Sequence, residues 1–195
     1  PQGKAKEQIS KATDEYLGAL MARPDSWDGH YNLGNYYLGQ NKPKEALAEY
    51  EIALQKEPQA ILTLVNAAMA HARLGETGRA EERLQEALKI APDSGVVLYN
   101  LGLVKGEKQE LTAAETYLKA SFKADPQLAA AAFNLCILTA PDRPDEALEW
   151  CKKASTLRPQ EPKYAYTLAF YQREGDDLTS AAATLEALIR RVPTY

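Results

Sequence analysis

The stretch "YNLG" at residues 31–34 returns unchanged at 99–102, with the variants "VNAA" at 65–68 and "FNLC" at 133–136. Asn32, Asn66, Asn100 and Asn134 therefore recur at a fixed interval of 34 residues. A period of that length marks a chain built from stacked supersecondary units, and it decides the architecture before any single element is assigned.

The same period runs through other positions. After each asparagine comes an apolar residue, Leu33, Ala67, Leu101 and Leu135, joined by Leu168. Next comes a small one: Gly34, Ala68, Gly102, Cys136 and Ala169. Further on stand Ala46, Ala80, Ala114, Ala147 and Ala181, each followed twelve residues later by proline: Pro58, Pro92, Pro126, Pro159 and Pro193. The fourth copy is one residue short, and the deletion falls in the turn "TAPDRPDE", where Pro141 stops one helix and Pro144 starts the next.

Each copy reads as two amphipathic helices. Ala46, Tyr50 and Ala53 stand at i, i+4 and i+7, the spacing of one helical stripe, and "GQNKP" at 39–43 and "GETG" at 75–78 suit short turns between helices. The small residues Gly34, Ala68 and Gly102 fall where paired helices should approach closest, opposite Ala46, Ala80 and Ala114. One such pair cannot bury its apolar face alone, so neighbours must stack. The expectation is eleven helices and no strands.

This pattern resembles the tetratricopeptide repeat family. The resemblance runs from about Trp27 to Tyr195 as five repeats, 27–60, 61–94, 95–128, 129–161 and 162–195. Residues 1–26, with Ile9, Ala12, Tyr16, Ala19 and Pro24, are similar to the second half of a further repeat. The resemblance implies one all-α, right-handed superhelical solenoid of stacked antiparallel helix pairs. It also implies a non-catalytic scaffold that holds a peptide segment or helix of a partner protein in a concave groove.

The expected groove residues follow from the first helix of each pair. The asparagines sit about 100° from the inward leucine stripe, toward the hollow side. Asparagine is a weak helix former, so something besides helix stability favours it there. Two readings stand side by side: the amides contact the main chain of an extended peptide, or they tie neighbouring helices together. Such ladders resemble those of the O-linked N-acetylglucosamine transferase repeats. Thr167 ends the ladder in the fifth repeat. Around it, Tyr31, Val65, Tyr99, Phe133 and Tyr166 stand one residue before, and Asn35, Met69, Leu103, Ile137 and Phe170 three residues after. An apolar-aromatic hollow with a polar spine is expected. The clamp by which some members of the family grip a terminal carboxylate is not, because Tyr31, Asn35, Asn66, Val96 and Asn100 occupy positions that would need cations.

Composition narrows the partners. Twenty-three basic and 27 acidic residues give a net charge of −4, with the signs interleaved along the chain, which argues against nucleic acid. The longest uncharged stretch, "PQLAAAAFNLCILTAP", is shorter than the roughly 20 apolar residues that span a bilayer, so no transmembrane segment is expected. The chain opens "PQGKAKEQIS", so a processed or trimmed chain is expected, and either the cytoplasm or a bacterial periplasm suits a soluble protein of this kind.

Catalytic chemistry has no candidates. No nucleophile elbow, phosphate loop or HExxH motif occurs, so no catalytic residue, metal or cofactor is expected. His30 and His71 fall on packing stripes without ligands at metal spacing, and read as core histidines. The acidic runs "AEERLQEA" and "DEALEW" read as solvated faces of second helices. Cys136 and Cys151 lie on the facing stripes of repeat four: two buried reduced thiols, or a disulfide in an oxidising compartment if their Cα atoms come within ~7 Å.

Two alternatives accompany the scaffold reading. The chain is a docking or spacer fragment of a larger bacterial protein, and "PKYAYTLAFYQREGD" faintly resembles repeats attached to cytochrome or envelope assemblies. Or Leu185, Leu188, Ile189 and Val192 leave the last helix uncapped for end-to-end self-association.

Overall fold

The computed structural model describes Gly18 and residues 26–192. Among the residues 26–192, ten helices follow one another: α1 (Trp27–Gly39), α2 (Pro43–Lys56), α3 (Ile61–Arg73), α4 (Thr77–Ile90), α5 (Gly95–Glu107), α6 (Leu111–Ala124), α7 (Ala129–Thr139), α8 (Pro144–Leu157), α9 (Pro162–Glu174) and α10 (Leu178–Arg191). They pack as sequential antiparallel pairs, α1 with α2 through α9 with α10, so the all-α expectation holds. The eleventh helix expected before Trp27 falls, Gly18 apart, outside the described residues.

The turns show how the repeat sets local structure. Asn41, Gly75, Gln109 and Asp176 occupy one register position and all take a left-handed backbone, with φ of 58°, 76°, 61° and 60°. Each lets the next residue close the helix end: Lys42, Glu76, Glu110 and Asp177 donate their N–H five residues back, to Tyr37, His71, Lys105 and Gln172. The fourth turn, one residue shorter, has no left-handed residue, and Arg143 donates four residues back to Thr139 at 2.8 Å. Pro144 then opens α8 with its fixed φ, as Pro43 opens α2.

The chain divides into two compact units, Pro1–Pro92 and Asp93–Tyr195. Among the described residues, the first holds α1–α4 and the second α5–α10. Inside each, the second helix of a pair also packs on the first helix of the next: α2 on α3, α6 on α7, α8 on α9.

A small residue meets a large one across the pairs α1–α2 and α5–α6. A Cβ on Gly34 would lie 2.6 Å from Cδ1 of Tyr50, and one on Gly102 would lie 2.8 Å from Cγ of Leu118. The residues 16 positions on thus fill the space, more than the alanines 12 positions on that the sequence suggested. Tyr50, Leu84 and Leu118 are buried, and so are Ala46, Ala80, Ala114 and Ala147. In α7 and α8 this contact belongs to Cys136 and Cys151, whose Cα atoms stand 5.2 Å apart and whose sulfurs are joined in a disulfide. Of the two readings of these cysteines, the structure has the disulfide and not the reduced thiols, because the shared register brings both sulfurs to one point. Leu168, Leu148 and Tyr171 pack around them.

Candidate functional site

The first helices carry the expected binding residues, and the two units place them differently. In unit 1, Tyr31, Asn32, Asn35 and Asn66 are half-buried and Met69 is exposed, but Val65 is buried. Val65 is therefore not part of an accessible lining, because its short branched side chain stops below the surface that the rings at the same register reach. In unit 2, Tyr99, Leu103, Phe133 and Asn134 are half-buried, while Ile137, Tyr166 and Phe170 are 44%, 47% and 46% exposed. Asn100 is buried.

Three of the four amides, those of Asn66, Asn100 and Asn134, are tied down by their N–H groups. Asn66 Nδ2 donates to Asn35 Oδ1 at 2.7 Å and reaches Tyr31 Oη at 3.5 Å, and Tyr50 donates its hydroxyl to the same Asn35 oxygen at 2.8 Å. Asn134 Nδ2 donates to Tyr99 Oη at 3.1 Å and to the Ala130 carbonyl at 2.9 Å. Asn100 turns back on its own helix, donating to the Val96 carbonyl at 2.8 Å. Within each unit, then, an asparagine and the tyrosine one repeat earlier cross-link adjacent first helices. In each of these bonds Asn66, Asn100 and Asn134 donate from Nδ2.

Burial sets the phenols' chemistry. It pushes Tyr50 far above the usual tyrosine range, with neighbouring Tyr31 adding to the effect, and it raises Tyr99 against the opposing bond from Asn134. Both stay protonated and keep their hydroxyls as donors or acceptors. Tyr164, buried against Phe133, is raised as well, mainly by burial and then by Glu161.

The histidines are buried as expected, but each has a carboxylate the sequence reading missed. His30 Nδ1 lies 2.7 Å from Glu49 Oε2, and His71 Nδ1 lies 2.7 Å from Glu76 Oε2. Glu49 comes from the facing helix, 19 residues away, whereas Glu76 lies in the turn only five residues after His71. The bond from His71 lowers the Glu76 carboxyl. These are two separate pairs that orient rings. Among the described residues no group of three histidine, cysteine or acidic side chains gathers as a metal would need.

The sequence reading also missed Lys163 and Arg173. They flank Tyr166 and Phe170 on α9 at i, i+3, i+7 and i+10, a spacing that marks one helical stripe. The end of the chain differs from expectation too: Leu188 is buried, covered within the last repeats, whereas Ile189 and Leu178 are 58% and 65% exposed. No helix among the described residues is long and apolar enough to cross a membrane.

Known structures share this arrangement. The chain aligns with MamA (residues 41 to the end) from Desulfovibrio magneticus RS-1 at 25% identity and a TM-score of 0.69, covering 87% of this chain and 97% of that one. It is similar to PilF of Pseudomonas aeruginosa, at 22% identity and a TM-score of 0.79 over 98% of this chain and 87% of PilF. A third similar structure is YrrB, described as a TPR protein with an unusual peptide-binding site, at 20% identity and a TM-score of 0.61 over 92% and 93% of the two chains. Comparison with curated proteins finds no match. The Tetratricopeptide repeat profile matches residues 4–61, 31–95 and 65–129, overlapping windows that step along the same period as the asparagines. With that match over more than half its length, and its helices in sequential pairs, the chain belongs to the tetratricopeptide repeat family.

Proposed function

We propose that this chain is a non-catalytic scaffold that binds a peptide segment or helix of a partner protein on the first-helix face of its second unit. One observation carries the reading: Val96, Ile137, Tyr166 and Phe170 are all more than 40% exposed, although Val97, Cys136, Ala165 and Ala169 beside them are buried. Water-exposed apolar side chains repeating on one face mark an interaction surface. The half-buried rings of Tyr99 and Phe133 continue that face, and aromatic residues are the common anchors of such contacts. The Oδ1 atom of half-buried Asn134 adds an acceptor for a main-chain N–H group.

Replacing Tyr166 and Phe170 together by alanine tests it. Both are exposed, so helicity by circular dichroism should stay unchanged while partners captured from the native cells are lost. Retention of every partner would overturn the reading. Self-association is favoured by a different feature, the exposed Ile189 and Leu178 on α10. Sedimentation of an Ile189→Glu variant separates it, since only an oligomer built through α10 would dissociate.

A further inference from the structure

We infer that the segment received by unit 2 is amphipathic and acidic, its apolar residues flanked by carboxylates that meet Lys163 and Arg173; this rests on the binding face just proposed. Lys163, Tyr166, Phe170 and Arg173 lie within an arc of about 80° on α9, and all four are exposed. The two aromatic side chains are thus bracketed by a cation at each end. Lys163 Nζ sits 5.0 Å from the centre of the Tyr164 ring and 5.8 Å from that of Phe133, and Arg173 Cζ sits 5.2 Å from that of Phe170.

A ring under a cation positions it without neutralising it. No carboxylate among the described residues pairs with Lys163. Arg173 donates from Nη2 to Glu174 at 2.9 Å, a pair between two exposed side chains that solvent screens heavily. At the same registers the other first helices of the unit carry Val96 and Ala130 opposite Lys163, and Gly106 and Ala140 opposite Arg173. The positive charge of the stripe is therefore concentrated on α9. A partner with carboxylates on both sides of a leucine or phenylalanine patch would find apolar contact and charge in register. A lysine-rich partner would meet repulsion at both ends, and such charge matching governs partner choice and association rate more than contact area does.

The test uses two synthetic amphipathic peptides with one leucine and phenylalanine face, differing only in glutamate or lysine flanks, and fluorescence anisotropy at low and high salt. The glutamate peptide should bind about tenfold more tightly at low salt, with the gap closing as salt rises. A chain carrying Lys163→Glu and Arg173→Glu should invert the preference while keeping its circular dichroism spectrum. Equal binding of the two peptides, or no inversion, overturns the acidic preference. If the Tyr166→Ala and Phe170→Ala chain still loses both peptides, the binding face survives that result. Failure of both peptides to bind the unaltered chain overturns both proposals.

Discussion

Asn35 in the first unit and Leu103 and Ile137 in the second occupy one register of the repeat, which Met69 also holds in the first unit with Leu84 in the place of Tyr50; of these only Asn35 is polar. The difference traces to the residue across the pair. Tyr50 is fully buried and carries a hydroxyl, and a buried donor left unpaired costs about 1–3 kcal/mol. Asn35 accepts that hydroxyl at 2.8 Å, and Asn66 then donates to Asn35 as well. In unit 2 the same position holds Leu118 and Cys151, which have no hydroxyl to satisfy. Leu103 and Ile137 can then be aliphatic, and the first-helix face turns apolar. A core choice on the second helix thus decides the chemistry shown on the first.

Substitutions can break or sharpen this contrast. The largest effect should come from Tyr50→Ala, which empties a fully buried site in unit 1 and should cost about 3–5 kcal/mol in denaturant unfolding. Changing both Tyr50 and Asn35 to leucine imports the unit 2 solution. If the contrast is causal, the double variant is more stable than the sum of the two single costs allows, a coupling read from the double-mutant cycle. Simple additivity would show that the two positions are independent.

Next in size is the covalent contact of unit 2. Cys136→Ala with Cys151→Ala opens a link between residues 15 apart, which should remove about 3 kcal/mol. Hydrogen exchange should report the loss in α7 and α8, with unit 1 nearly unaffected, since stability in repeat arrays is set by each repeat and its neighbours. A reductant should reproduce the loss in the unaltered chain, and insensitivity to reductant would count against the link.

Thr63→Val should act in the opposite direction. Thr63 Oγ1 is buried without a hydrogen-bond partner, and the same register holds Val97 and Ala131 in unit 2. Removing the orphan hydroxyl at constant shape should stabilise unit 1 by about 1 kcal/mol. A loss of stability would mean that the hydroxyl has a role the contacts do not account for.

The smallest effect belongs to a surface network found in unit 2. Arg143 reaches Glu115 with two bonds of 2.6 and 2.9 Å, and Lys119 bridges Glu115 and Glu146 at 2.7 and 2.9 Å. These bonds, Arg143 first, hold the Glu115 carboxyl down at about 2. A depressed carboxylate contributes stability above the unfolded range near 4.3, and that contribution is lost as pH falls through the folded value. Glu115→Gln should therefore flatten the acid decline of stability between about pH 4.5 and 2, measured by urea unfolding across that range. An unchanged acid limb would show that solvent screens the network completely.

Much of this was readable beforehand. The 34-residue recurrence of small, apolar and proline positions gave helix pairs, and the missing residue near Pro141 led to a shortened turn in which no left-handed residue remains. The face of the first helices could be assigned because a helix places residues by angle alone. What could not be read was where the amide hydrogens go. Asn66 and Asn134 meet Tyr31 and Tyr99 of the preceding repeat, 35 residues away, and Asn100 turns back to Val96. The partner of His30, Glu49 on the facing helix, was hidden in the same way.

By itself the sequence determined the periodic part of this protein: the fold class, the pairing of helices and the face each residue occupies, because those depend on spacing along one helix. Only the tertiary structure decided which side chains complete one another: the hydroxyl of Tyr50 with Asn35, Cys136 with Cys151, and Leu188 drawn into the core. Those outcomes depend on distances between helices and on the rule that a buried polar group must find a partner, wherever in the chain that partner lies.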